Sequence, residues 1–337
     1  MKKALIASTA LILTAGAAAA DVTISGYGRT GIIYFENTEA QDDAGLNETQ
    51  VISRLRMNLD ATTSTEQGVD FGARFRLQWD QNRNDRGNAG ELNAGKLWIS
   101  SQGLTVEVGN VDTAHDNAGL IYSPELGSYD RSLIRYGTFF AYKAGPYQAS
   151  RLAVDLDGDG VIDQDDFEEL ATYNGVAAKY TLAGVNLRLS YVDPDQSGRL
   201  DDNEEIGFAA DYKWNDLELS GAFTKDGASV EDNDIWFLGA RYAVMENARI
   251  GLNYYDTSND SVADQGDTIA IYGDYTLADG NTNIEAYLAN NDLDGNETDN
   301  AFGIGANYDL GGARLGASIQ RGYDERVTAD MGVRFDF

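Results

Sequence analysis

The sequence predicts an all-β fold, a transmembrane antiparallel β-barrel of sixteen strands, and three observations carry that prediction. Apolar and polar residues alternate with period two in segments long enough to cross a bilayer. Short turns alternate with long polar loops. Aromatic side chains gather at the ends of the apolar faces.

The chain opens with MKKALIASTALILTAGAAAA, in which Lys2 and Lys3 precede an apolar stretch that closes on Ala18, Ala19 and Ala20. A basic start, a short apolar run and small residues before a cleavage point read as an export signal peptide over residues 1–20, with the barrel occupying 21–337. Formal net charge passes from −30 to −32 when Lys2 and Lys3 leave with it. With 37 Gly and only 3 Pro, together with 19 Tyr and 12 Phe, the composition suits a long sheet rather than an acidic disordered chain. Cysteine is absent, which excludes disulfides and thiolate–metal sites. After the leader no run of eighteen apolar residues remains, so no helix is expected to span a bilayer.

Residues 69–80, VDFGARFRLQWD, show the period most clearly. Val69, Phe71, Ala73, Phe75, Leu77 and Trp79 share one face; Asp70, Arg74, Arg76, Gln78 and Asp80 share the other. The preceding segment sets Val51, Leu55, Met57 and Leu59 against Arg54, Arg56, Asn58 and Asp60. The last one sets Val327, Ala329, Met331, Val333, Phe335 and Phe337 against Thr328, Asp330, Arg334 and Asp336. The same reading gives strands near 22–36, 50–62, 69–81, 94–102, 104–111, 174–182, 185–193, 205–214, 217–225, 234–244, 248–256, 267–277, 282–290, 300–309, 313–321 and 327–337. Their number is even, as a closed bacterial barrel requires. Tight turns at Ala183 and Gly184, Asn215 and Asp216, 245–247 and 310–312 alternate with loops at 37–49, 82–93, 194–204, 257–266 and 291–299. A soluble sandwich also alternates. Strand lengths near the nine to eleven residues of a tilted membrane strand decide against it, as do Trp79, Tyr212, Trp214, Tyr242, Tyr254, Tyr275, Tyr308 and Phe337 on the apolar parity near the rims.

Four segments, DVTISGYGRTGIIY, SRLRMNLDATTSTEQGVDFGARFRLQWD, GKLWISSQGLTVEVGNVDTA and the terminal ADMGVRFDF, resemble the Gram-negative general porins of the alphaproteobacterial type. The terminal aromatic, with apolar residues at every second position before it, is similar to the signal read by outer-membrane assembly machinery. The resemblance implies an outer-membrane location, a homotrimer, passive diffusion of small hydrophilic solutes and ions, and a third loop folded into the barrel to narrow it. Residues 112–173 fit such an insert, because a connection of that length is usually functional.

On the polar parity, Arg54, Arg56, Arg74 and Arg76 form a basic stripe on adjacent strands, with Arg29 and Lys96 in the same quarter of the barrel. Their role as constriction residues is implied by the matched motifs SRLRMNL and FGARFRL. The third loop opposes them with Asp112, Asp116, Glu125 and Asp130. Opposed basic and acidic walls would set up a transverse field that favours polar solutes; alternatively the arginines pair with lumenal carboxylates for stability, and both can hold. The strongly negative net charge predicts mild cation selectivity, weakened by salt.

Within the third loop, residues 155–166 read DLDGDGVIDQDD and match the calcium-loop pattern. Asp155, Asp157, Asp159, the Val161 carbonyl, Asp163 and Asp166 would be ligands, and Gly160 allows the turn. Asp166 stands where the pattern has the longer Glu. Residues 193–204, DPDQSGRLDDNE, repeat the match in the fourth loop with Asp193, Asp195, Ser197, the Arg199 carbonyl, Asp201 and Glu204. Full helical hands are absent, although FEELA after Asp166 offers a turn or two of helix. Structural calcium is therefore expected in both loops.

Two other functions compete. A barrel-borne hydrolase would need His115 beside Asp116, the single histidine of the chain, but no serine lies in a G-x-S-x-G context. A substrate-specific channel would need a slide of aromatics, for which Tyr27, Trp98, Trp236, Tyr255 and Tyr287 are candidates. The acidic balance excludes nucleic acid as a partner.

Overall fold

The computed structural model describes residues 21–81, 90–92, 95–135, 151–153, 167–169, 174–193, 203–257, 261 and 264–337. The proposed leader, the loop 155–166, and Asp195, Ser197, Arg199 and Asp201 lie outside the described residues. Sixteen long strands follow one another: β1 (Asp21–Phe35), β2 (Thr49–Ser64), β3 (Asp70–Gln81), β4 (Lys96–Ser101), β5 (Leu104–Gly109), β6 (Asn174–Leu182), β7 (Val185–Asp193) and β8 (Glu205–Trp214); then β9 (Leu217–Lys225), β10 (Ile235–Met245), β11 (Ala248–Thr257), β12 (Thr268–Thr276), β13 (Thr282–Asn291), β14 (Asn300–Asp309), β15 (Arg314–Arg321) and β16 (Val327–Asp336). A two-residue piece, Glu91–Leu92, extends the line of β4 along β3. The expected boundaries agree with these to within two residues.

Each strand pairs antiparallel with its sequence neighbours, and β1 pairs with both β2 and β16. The ring closes through to the last residue, where Gly26 N donates to Phe337 O at 2.8 Å and Phe337 N donates to Gly26 O at 2.9 Å. A sheet closed on itself has no edge, so the strand backbone is satisfied without water.

Polarity is inverted relative to a soluble fold. Phe71, Phe75 and Leu77 on β3 are 39, 49 and 39% exposed, while Arg76 and Gln78 between and beyond them are 7 and 4% exposed. The same holds across the barrel, where Ile269 and Ile271 face out around the fully buried Ala270. The outer apolar band is bordered at the short-turn rim by Tyr180, Tyr212, Trp214, Tyr242, Tyr275 and Tyr308 and at the long-loop rim by Trp79, Tyr191, Trp236 and Tyr254. Such amphipathic rings sit at the headgroup level.

Among the described residues the loops add three elements that strand periodicity does not reveal. Glu39–Asp43 is a short helix in the first loop, with a capping box between Thr38 and Gln41. Gly227–Ser229 is a 3-10 turn after β9. Arg151–Ala153 pairs antiparallel with Phe167–Glu169 inside the third loop. The start of FEELA is thus extended rather than helical, because the ladder that closes the intervening loop takes up its backbone groups.

The third loop leaves β5 and turns into the barrel. Ala114, Ala118, Leu120, Ile121, Leu126 and Ile134 form one buried cluster with the inward side chains Ala209, Ala222, Phe237, Tyr255, Tyr272 and Tyr287 of the far wall. Among the described residues the hydrophobic core is therefore the contact between the loop and one side of the lumen.

Candidate functional site

The register of β1, β2 and β3 builds the site from the inward parity. Arg54 stands opposite Asp80, Arg56 opposite Gln78, Asn58 opposite Arg76 and Asp60 opposite Arg74. Each opposition is also a contact. Arg54 pairs with Asp80, and Arg74 holds Asp60 with Nε and Nη2 at 2.6 and 3.1 Å. Arg56 Nε donates to Gln78 Oε1 at 2.5 Å, and Arg76 Nε donates to Asn58 Oδ1 at 3.0 Å. Amide acceptors orient a guanidinium without neutralising it. Arg54 and Arg74 are thus ion-paired within the wall, and Arg56 and Arg76 each donate to a side-chain amide.

Closure of the ring brings further cations to the same wall. Arg29 stands opposite Arg54 on one side and Arg334 on the other. Tyr27 lies among them, with the guanidinium carbons of Arg334, Arg56 and Arg29 at 4.3, 5.4 and 6.0 Å from its ring centroid and Arg54 Nη1 donating to its hydroxyl at 3.4 Å. Stacking on a ring face spreads like charges that would otherwise repel at close range. Sequence reading missed Tyr27 and Arg334 as parts of this cluster. Their signal was the inward parity of the first and last strands, which only ring closure makes adjacent.

The third loop supplies the acids. Asp116 accepts from the Tyr122 hydroxyl at 2.7 Å and is within electrostatic reach of Arg76, Arg56 and Lys179; burial holds its carboxyl above the usual range. Glu125 faces Arg29 and Arg334 but also Asp130 and Asp116; burial first, then Asp130, pushes its carboxyl up to about 8. Asp130 forms ion pairs with Arg334 and with Arg314 Nη2, the latter at 2.6 Å. Tyr129 beside it accepts from Arg29 Nη1 through its carbonyl at 2.5 Å and donates its hydroxyl to Ile52 O at 2.7 Å.

Lys96 and Asp112, expected at the constriction, sit instead at the root of the loop. Lys96 Nζ lies 3.2 Å from Glu107 and 3.2 Å from Asp112, and Lys179 Nζ lies 3.0 and 3.1 Å from the same two carboxylates. Lys96, Glu107 and Asp112 are all buried. This quartet fixes where the loop enters the barrel. Farther along the loop, Arg135 donates to Gln265 Oε1 and Asn296 Oδ1, each at 3.0 Å.

The remaining sequence candidates separate from the bore. His115 is fully buried with Nδ1 at 3.1 Å from Thr224 Oγ1, and burial pushes its imidazole down to about 3, so it is neutral. Tyr255 and Tyr287 are buried in the loop core, and Trp236, expected on or near the inward parity, faces outward against Phe223 at 4.4 Å between ring centroids. Asp193 ends β7, and Glu204 accepts from the Tyr191 hydroxyl at 3.3 Å. Among the described residues no cluster of three metal-ligating side chains is found.

A closed barrel, apolar outside, with a charged bore narrowed by its own loop, is an aqueous transmembrane channel. The chain belongs to the Gram-negative porin family, whose description it matches over residues 7–296. It is 41% identical over 323 residues to a porin of Fuscovulum blasticum, covering 94% of this chain and all of that one, and 25% identical to a porin of Rhodobacter capsulatus over the same share. Among solved structures, a triple mutant of Rhodopseudomonas blastica porin is similar at 39% identity and a TM-score of 0.80, covering 94% of this chain and 100% of that chain. The protein is accordingly an outer-membrane general porin.

Lys96→Met would take from Glu107 and Asp112 one of the two lysines they share in a buried setting. The expected loss is about 3 kcal/mol of unfolding free energy, read from denaturant unfolding of the protein in lipid vesicles; an unchanged midpoint would refute the anchoring role.

Proposed function

We propose that this porin passes small hydrophilic solutes and ions by passive diffusion with mild preference for cations, and that it works as a homotrimer with calcium-stabilised loops. The carrying observation is the opposition of Arg56 and Arg76 on β2 and β3 to Asp116 of the third loop, which sets a field across the path of the solute and to which Glu125 adds its charge as pH rises through about 8. Polar and charged solutes keep favourable contacts there, while an apolar solute loses ordered water and gains nothing. The net negative charge of the chain raises cation concentration at the mouth, within a Debye length of about 10 Å at 0.1 M salt. A selective slide is disfavoured because Tyr255 and Tyr287 are committed to the loop core. In a planar bilayer under a potassium chloride gradient, the reversal potential is expected to favour potassium and the current to be ohmic. A chloride-favouring potential would refute the selectivity, and a saturable, solute-blocked current would favour a substrate-specific channel.

Glu125 makes that selectivity depend on pH. A carboxyl raised to about 8 is neutral below that pH and gains its negative charge as pH rises through it, so the potassium-to-chloride permeability ratio should rise between about pH 6 and about pH 9. The groups that face it, Arg29, Arg334, Asp116 and Asp130, are common to the wild type and the Glu125→Gln variant. The variant is therefore expected to lose the rise, and an identical rise in both would assign it elsewhere.

Calcium would be held by Asp155, Asp157, Asp159, Val161, Asp163 and Asp166 in the third loop and by Asp193, Asp195, Ser197, Arg199, Asp201 and Glu204 in the fourth. The fourth-loop reading is supported by the register Val192 to Glu205. One step beyond that pair are Asp193 and Glu204, the first and twelfth positions, which must converge on one ion. The third-loop reading is supported by the ribbon of Arg151–Ala153 with Phe167–Glu169, which brings the ends of the intervening segment together. An ion there would cancel repulsion among clustered carboxylates and pin the loops. Chelation is expected to lower the thermal midpoint and alter conductance, with both restored by added calcium; no change in either would refute it.

The homotrimer reading is supported by the outer face of β1 and β2, where Thr30 Oγ1 and Ser53 Oγ lie 2.8 Å apart on the parity that otherwise faces lipid. A polar pair in this band is better covered by protein than by acyl chains. The detergent-extracted protein is expected to have three times the chain mass, and Thr30→Leu with Ser53→Leu to leave the monomer folded; a native monomer would refute it. The outward-facing terminal Phe337 fits a segment read by assembly machinery before closure buries its backbone.

A further inference from the structure

We infer that the calibre of this channel is set by a trough of glycines on the inner wall of β14, β15, β16 and β1, in which the third loop lies directly on strand backbone. Gly31, Gly332 and Gly316 stand side by side across three strands, Gly31 opposite Gly332 and Gly332 opposite Gly316. Gly303 and Gly305 extend the trough on β14. The occupant is the loop segment 126–130.

The fit leaves no room for a side chain. A Cβ on Gly316 would fall 2.3 Å from Ser128 N and 2.9 Å from its Cα. On Gly332 it would fall 2.9 Å from Ser128 Oγ and 2.9 Å from the Tyr129 ring, and on Gly303 2.7 Å from Leu126 Cδ1. Carbon contacts are repulsive well above these distances. Gly305 is looser, with Leu126 Cβ at 3.2 Å and Gly127 N at 3.3 Å. At Gly31 and Gly332 the sheet backbone itself is also close, with Met331 O at 2.2 Å and Thr30 O at 2.7 Å, so these two serve the barrel as well as the loop. At Gly316 the loop is the nearest neighbour, with Asn307 Oδ1 next at 2.6 Å, whereas at Gly305 the Ala317 carbonyl lies as close as Leu126, at 3.2 Å.

The segment has no freedom to slide aside. Gly127 N donates to Glu285 Oε2 and its carbonyl accepts from Arg314 Nη2, each at 3.2 Å. Leu126 and Arg131 close a small bridge around it, and Tyr129 and Asp130 are tied to Ile52, Arg314 and Arg334. Held laterally on several sides, a segment pushed by a new Cβ can move in one direction, off the wall and into the bore. The glycines therefore determine how much of the lumen the loop leaves open.

The test is single-channel conductance and liposome swelling with sugars of graded size. Gly316→Ala is expected to lower conductance by roughly a quarter and Gly316→Val by more, with the larger sugars slowed most, because narrowing at the constriction acts on all carriers in series. Ala317→Val, on the lipid-facing parity of the same strand, is expected to leave both readouts unchanged. Native conductance and size cut-off in folded Gly316 variants would overturn the inference, as would reduced thermal stability with unchanged conductance, or a wider channel. Should the Gly316 variants fail to fold, Gly305→Ala is the milder probe. A smaller reduction of the same sign supports the inference, and a folded protein with native conductance overturns it.

Discussion

A peptide group without a hydrogen-bond partner in hydrocarbon is so unfavourable that the chain has to close its sheet on itself, and the rest of the molecule follows from that closure. The contacts of Gly26 with Phe337 complete the ring at its last residue. Once it is closed, side chains alternate between lipid and lumen, so one face of every strand must be apolar and the other can carry charge. Closure also creates the site. Arg334 and Arg29 are some three hundred residues apart in the chain, yet they are cross-strand neighbours.

Charge in the lumen is organised by register. Because residues facing each other across two strands are only a few ångströms apart, a wall of arginines is tolerable when each has an oriented acceptor. Asp80, Gln78, Asn58 and Asp60 provide this for Arg54, Arg56, Arg76 and Arg74. The mixture of carboxylates and amides fixes the guanidiniums in the wall. A wall of carboxylates alone would be equally rigid and electrically silent.

The strands were legible in the sequence because period two survives in every one of them, down to ends within two residues of those observed. The basic stripe was legible for the same reason, since parity alone places Arg54, Arg56, Arg74 and Arg76 together. The third loop was legible only as an insertion. Its contacts depend on three-dimensional proximity with no local period: Lys96 and Asp112 read as lumenal charges but form a buried quartet with Glu107 and Lys179, and Trp236 reads near the inward parity but faces out. Phe167 to Glu169 look helical by composition, yet they pair as a strand because the loop between them and 151–153 has to be closed. The glycines of β14 to β16 carry no sign of their purpose until the loop is seen lying on them.

Tyr129 and Asp130 have a consequence for how the barrel holds its shape. Through one dipeptide, the loop touches β2 at Ile52, β1 at Arg29, β16 at Arg334 and β15 at Arg314. Those four strands flank the place where the first and last strands meet, so the dipeptide acts as an internal buckle across the seam. It can fasten only after the two ends of the sheet have come together. The passage therefore has its full set of ties only when the seam is closed, and a barrel whose seam parts loses its buckle and its filter in the same motion.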